Sequence, residues 1–196
     1  CSSDLFFAIV LLVILSVLSK TDAIYENKFE VTQGCLQYNS YQGYYFAHPY
    51  LSTGAFKNVR TKADNTTEIR IGILAKNDGL IRLAPVQYPY DRTSMNELVL
   101  SGWNNTRIAV RRYTRTGPAT TTGQIVLRDQ SSLGLLSEFK PLMFTLAIKS
   151  NGSVKLTKDG DRVPFLEFSD TTLSSKFVSF ANWDVPVIFF FDCPLK

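Results

Sequence analysis

"ELVLSGWNNTRIAVRR", Glu97–Arg112, decides the fold. Apolar and polar side chains alternate up to Ser101, the pattern of a strand with one buried face. The chain then breaks at Gly102-Trp103-Asn104-Asn105 and resumes the same alternation through Arg112. Two such runs around a short polar break predict an antiparallel hairpin. The same period recurs along the chain, and no helical pattern of any length follows Ala23. "TTEIRIGILAK" sets Ile69, Ile71 and Ile73 against Glu68, Arg70 and Gly72, and "NDG" at 77–79 turns the chain into "LIRLAPV". "LMFTLAIKS", Asn151-Gly152 and "SVKLTKDG" make a second hairpin, with a type I′ turn expected from the Asn-Gly pair. "GAFKNVRTKA" is read as a strand with Ala55, Lys57, Val59 and Thr61 on one face, and "KFEVTQ" as the start of the mature domain. "QIVLRDQ", "DRVPFLEFSD", "KFVSFANW" and "VPVIFFFDC" complete about eleven or twelve strands, with turns at the spacing of a sandwich or barrel. The fold class is therefore all-β: an antiparallel β-sandwich of jelly-roll, lectin-like type.

The 196 residues fit one domain plus an export segment. Hydrophobic residues make up 45% and charged residues 19%, which places the chain with packed rather than disordered proteins. Leu5–Leu18 is almost purely apolar, and Thr21 and Ala23 supply a small-residue cleavage site. The run suits a signal peptide over 1–23 and falls short of a membrane span. It predicts a domain over 24–196, secreted, with no stable membrane insertion after cleavage. Of three cysteines, Cys1 leaves with the leader, so Cys35 and Cys193 are most simply one disulfide in an oxidising compartment. Sequons at Asn65, Asn104 and Asn151 agree with export and predict a glycoprotein. A net charge of +4 without a Lys/Arg block gives no nucleic-acid footprint. Arg107, Arg111, Arg112 and Arg115 form the densest basic spot and are expected to sit on a solvated sheet face.

Few residues carry chemistry. His48 is the sole histidine, and without an oriented partner it is expected to be non-catalytic. No His/Cys/Asp cluster has metal-ligand spacing, so no metal is expected. Asp78, Asp159, Asp161 and Asp170 read as turn residues. Trp103 either caps the hairpin in the core or forms a platform for an apolar sugar face. In the second case Asn104 and one of Arg111 or Arg112 would meet hydroxyls, since consecutive strand residues point to opposite faces. Trp183 with Asn182 repeats the Trp-Asn pairing. A glycan on Asn104 would crowd such a site.

Four segments, in order, carry a resemblance: "LAKNDGLIRL" (74–83), "ELVLSGWNNTRIAVRR" (97–112), "FTLAIKSNGSVKLTKDGDRVPFLEFSD" (144–170) and "VSFANW" (178–183). Together they resemble the farnesoic acid O-methyltransferase domain family, common in arthropod proteins, over about 55–192. The family name implies methyl transfer from S-adenosylmethionine to a farnesoic acid carboxylate, in the juvenile hormone and methyl farnesoate pathway. The residues point elsewhere: no Gly-x-Gly turn follows a strand and no helix follows it, so the common nucleotide-holding device is missing. The expected role is thus extracellular binding or recognition of a carbohydrate or glycoprotein, without a cofactor. The alternatives are the methyltransferase with S-adenosylmethionine and a structural part of an extracellular assembly.

Overall fold

A computed structural model describes residues 27–196, and the leader expected over 1–23 lies outside the described residues. Two antiparallel sheets face each other. One contains β1 (Leu36–Ser40), β3 (Arg60–Thr61), β4 (Thr67–Leu74), β9 (Leu142–Ile148), β10 (Ser153–Lys158), β11 (Leu166–Ser169) and β13 (Val187–Phe191). Its strand order is β1-β13-β4-β9-β10-β11, with β3 pairing onto β4. The other contains β2 (Leu51–Ser52), β5 (Gly79–Ala84), β6 (Thr93–Ser101), β7 (Arg107–Arg115), β8 (Thr121–Ser131) and β12 (Phe177–Ala181). Its order is β2-β12-β5-β6-β7-β8. The architecture is the expected antiparallel sandwich of jelly-roll type.

Alternation explains which side chains fill the space between the sheets. Ile69, Ile71 and Ile73 of β4 and Phe144, Leu146 and Ile148 of β9 meet Ile81, Leu83, Leu98, Leu100, Ile108 and Val110 of the second sheet. Each such side chain contributes roughly 1.5–3 kcal/mol on burial. Phe180 and Phe189 stack across the layers with ring centroids 4.8 Å apart.

Some local expectations are corrected. Residues 30–32 form a 3-10 turn at the start of the domain, and the strand expected in "GAFKNVRTKA" shrinks to Arg60–Thr61, with a 3-10 turn over 53–55 before it. Asp192 holds this segment by accepting from the backbone N–H groups of Lys57 (2.9 Å) and Asn58 (2.7 Å). The Asn151-Gly152 hairpin exists, but only Gly152 has a positive φ (82°). Its N–H donates to Lys149 O at 3.0 Å and Lys149 N–H donates to Ser153 O at 2.9 Å. That is a type I turn closed by a left-handed glycine rather than type I′. A Cβ on Gly152 would lie 2.3 Å from Asp170 O, so glycine is required there for space as well.

Cys35 and Cys193 are bridged, joining the start of β1 to the chain just after β13. The crosslink spans 158 positions of sequence. Replacing both cysteines by serine is expected to lower stability by about 2–4 kcal/mol, read from urea denaturation of the two proteins. A change of less than about 1 kcal/mol would mean that β1–β13 pairing alone fixes the chain ends.

Candidate functional site

Sheet register sets the outer face of the six-stranded sheet. Leu80, Val99 and Ala109 form one cross-strand row, and Arg82, Glu97 and Arg111 form the next. An alternating strand would ordinarily show this face to water. Here residues 41–50 fold across it: Tyr44 O accepts from Arg82 Nη2 at 3.0 Å, and the Tyr44 ring lies over the same guanidinium.

Beside this cover a pocket of about 420 Å³ opens, with Leu80 and Val99 as its floor. Trp103, Asn104, Arg111, Trp183, Asp184, Tyr44 and Asp78 complete its lining, and Asp78 is tied to the Trp103 turn by its N–H, which donates to Ser101 O at 3.0 Å. Both indoles are about half exposed, at 45% for Trp103 and 49% for Trp183. Trp183 packs on Tyr44, ring centroids 4.8 Å apart, and on Tyr45 at 6.1 Å. Arg107 and Arg111 both lie over the Trp103 ring, 5.0 and 5.4 Å from its centroid, which holds the indole by cation–π attraction.

The turn that carries Trp103 is strained. Ser101, Trp103, Asn104 and Asn105 all have positive φ, between 52° and 62°. Asparagine tolerates this conformation, whereas a tryptophan pays roughly 1–2 kcal/mol. Such a turn persists only where its surroundings over-determine it. Asn105 does that: its amide donates to Leu136 O (2.8 Å) and accepts from Leu136 N–H (3.2 Å). Thr106 Oγ1 donates to Trp103 O at 2.6 Å. The strain turns an indole that sequence would allow into the core outward beside the pocket.

The pocket contains Trp103, Asn104, Arg111 and Trp183 of the six residues singled out from sequence, but neither Arg112 nor Asn182. Arg112 points to the inner side of β7 and pairs with Asp170 at 2.8 Å. Asn182 is buried and structural: its Oδ1 accepts from Ser40 Oγ and Gly43 N–H, each at 2.9 Å, and its amide donates to Val185 O. His48 is also structural and buried. Its Nε2 donates to Gly43 O (2.8 Å), which leaves Nδ1 to accept from Tyr38 OH (3.0 Å). Burial is the main cause that lowers its pKa. Among the described residues no group of three or more His, Cys, Asp or Glu is arranged to hold a metal ion. Asn65, Asn104 and Asn151 are all exposed.

Sequence reading missed Tyr44, Asp78 and Asp184. Asp78 does occupy a turn, with a φ of 55°, but its side chain faces the pocket. Burial, with the charge of Asp184 adding to it, pushes its carboxyl up to about 6. A raised carboxyl favours the protonated folded state, so its stabilising contribution is complete below the ordinary carboxylate pKa and is lost as pH rises through about 6. Asp78→Asn is accordingly expected to match the parent's melting temperature near pH 4 and to exceed it by pH 7. Parallel melting curves across that range would show no divergence if Asp78 were fully solvated.

A search of curated proteins finds no match. Solved structures with similarity include a native glycosidic hydrolase, with 8% identity and a TM-score of 0.40, which covers 64% of this chain; the chain spans 61% of that protein. The Bacillus licheniformis β-glucanase is 9% identical with a TM-score of 0.40, over 82% of this chain and 98% of its own. Porphyranase B from Zobellia galactanivorans is 12% identical with a TM-score of 0.34, over 81% of this chain and 63% of its own. The family model for farnesoic acid O-methyl transferase matches residues 44–195, which takes in every residue of the pocket, and the chain belongs to that family.

Proposed function

We propose that this protein is an extracellular carbohydrate-recognition domain and that the pocket between Trp103 and Trp183 is its sugar site. The observation that carries the reading is the pair of half-exposed indoles facing one pocket whose remaining polar groups are Asp78, Asn104, Arg111 and Asp184. A pyranose has an apolar C–H face and an equatorial rim of hydroxyls. Indole rings accept the first at little conformational cost, and carboxylate, amide and guanidinium groups accept or donate to the second. The disulfide and the three exposed sequons support an oxidising, secretory setting.

The test is a glycan array probed with protein secreted from insect cells, followed by titration calorimetry on the best ligands. Saturable binding of a defined glycan supports the reading. Titration with S-adenosylmethionine, with and without farnesoic acid, belongs to the same experiment. Micromolar donor binding with methyl transfer, and a blank array, would replace sugar recognition by the activity in the family's name.

A further inference from the structure

We propose that a small monovalent anion, of the halide or formate class, binds beneath the 41–50 cover, between Arg115, Arg82 and Tyr50. This site is separate from the Trp103–Trp183 pocket and does not depend on what that pocket binds.

The argument starts from a charge imbalance. On the outer face of the six-stranded sheet, Arg82, Glu97 and Arg115 are all 0% exposed. Arg82 pairs with Glu97 at 2.9 Å, whereas Arg115 meets no carboxylate among the described residues, so a positive charge is left over. The carboxylate is already well used. Glu97 Oε2 accepts from Arg82 Nε (2.9 Å) and Tyr113 OH (2.8 Å), and Oε1 accepts from Tyr44 OH (3.3 Å).

The donors are in surplus. None of the three nitrogens of Arg115 has a hydrogen-bond partner among the described residues, although its guanidinium lies 5.9 Å from the Tyr113 ring centroid. Arg82 Nη1 is likewise without an acceptor, as is the hydroxyl of Ser179, which sits opposite Arg82 in the sheet. Tyr50 OH has only the thioether sulfur of Met95, at 3.4 Å, and sulfur accepts weakly. The positive charge of Arg115 and Arg82 reaches the Tyr50 hydroxyl and adds to the lowering of His48.

A buried, unpaired guanidinium costs several kcal/mol, and its planar fork of five N–H groups suits one anion better than scattered water. The uncompensated charge is single, which selects a monovalent ion. Tyr50, Ala84, Met95 and Tyr113 pack together around this end of the face, with Tyr90 and Phe177 against them, which selects a small one.

Thermal unfolding of the full secreted protein at constant ionic strength tests this, exchanging sodium gluconate for sodium chloride, bromide or formate. A saturating rise in Tm of about 3–5 °C is expected with the small anions. Arg115→Met should remove the difference between chloride and gluconate. Should that variant fail to fold, crystals of the unaltered protein soaked in bromide decide the matter. An anomalous peak within hydrogen-bonding distance of the Arg115 guanidinium is expected. Equal Tm in chloride and gluconate, a chloride effect that survives Arg115→Met, or bromide peaks only elsewhere would each overturn the proposal. A response to formate alone would assign the site to carboxylates rather than halides.

Discussion

Replacing Glu97 by glutamine is expected to lower stability by about 3–5 kcal/mol, the usual result of removing one partner from a buried ion pair. The size follows from what is left behind. Glu97 is wholly buried and pairs with Arg82 at 2.9 Å, so the substitution leaves the buried Arg82 guanidinium without its counter-charge, on a face that already holds the unpartnered guanidinium of Arg115. The glutamine amide keeps the volume and can still accept from Tyr113 and Arg82, so packing changes little and the loss reports on charge. Urea denaturation at neutral pH measures it, with the slope checked for two-state behaviour. The companion variant Arg82→Met/Glu97→Leu/Arg115→Met replaces the whole cluster by apolar groups of similar volume. It should recover much of the loss, because what is costly is a charge left unpaired rather than the absence of a pair. The measurement is made in sodium gluconate, without the small anions proposed to bind beside Arg115, and a loss below about 1 kcal/mol there would show that Arg82 does not depend on Glu97 for its counter-charge.

Glu97 also shows where sequence reading stops. The alternation in "ELVLSGW" separates Leu98 and Leu100, which lie in the core, from Glu97 on the opposite face. Alternation assigns a face and says nothing about whether that face is covered. The cover comes from residues 41–50, whose contacts with β5 and β6 are separated from them by tens of residues. Arg115 was expected on a solvated face for the same reason, and the structure corrects this: its side chain is buried. Arg107 does lie at the surface, paired with Asp129.

Long, regular strands were legible because each carries its own pattern: β4, β6, β7, β9 and β10 lie where period two put them. The short β2 and β3 were not, because two residues carry no period and exist through their partners in β12 and β4. The site was half legible. The Gly-Trp-Asn-Asn break marked the turn, and consecutive arginines on a strand had to diverge, as Arg111 and Arg112 do. Asn182 misled because a buried asparagine that stitches loops together has the same spelling as one that meets a ligand. Asp78 misled in the opposite direction, since a left-handed turn position and a pocket-facing side chain are compatible.

Trp103→Ala and Trp183→Ala are each expected to weaken glycan binding by about 2 kcal/mol or more, roughly thirtyfold, and together to take it below detection on an array. Both rings are already half exposed, so truncation leaves no large cavity and melting temperatures should stay within a few degrees of the parent. The two variants should nevertheless differ in stability. Trp183 packs on Tyr44, which in turn bonds Glu97 and Arg82, so its loss loosens the cover of the buried charges. Trp103 sits in the left-handed turn, where alanine keeps the same backbone penalty and glycine relieves it. Trp103→Gly should therefore be at least as stable as Trp103→Ala while losing binding equally. That comparison separates the ring from the backbone: if Trp103→Ala binds as the parent does, the indole is not a platform and the strained turn serves another purpose. If binding and stability fall together in every variant, the pocket is a structural joint between the 41–50 cover and the sheet rather than a site.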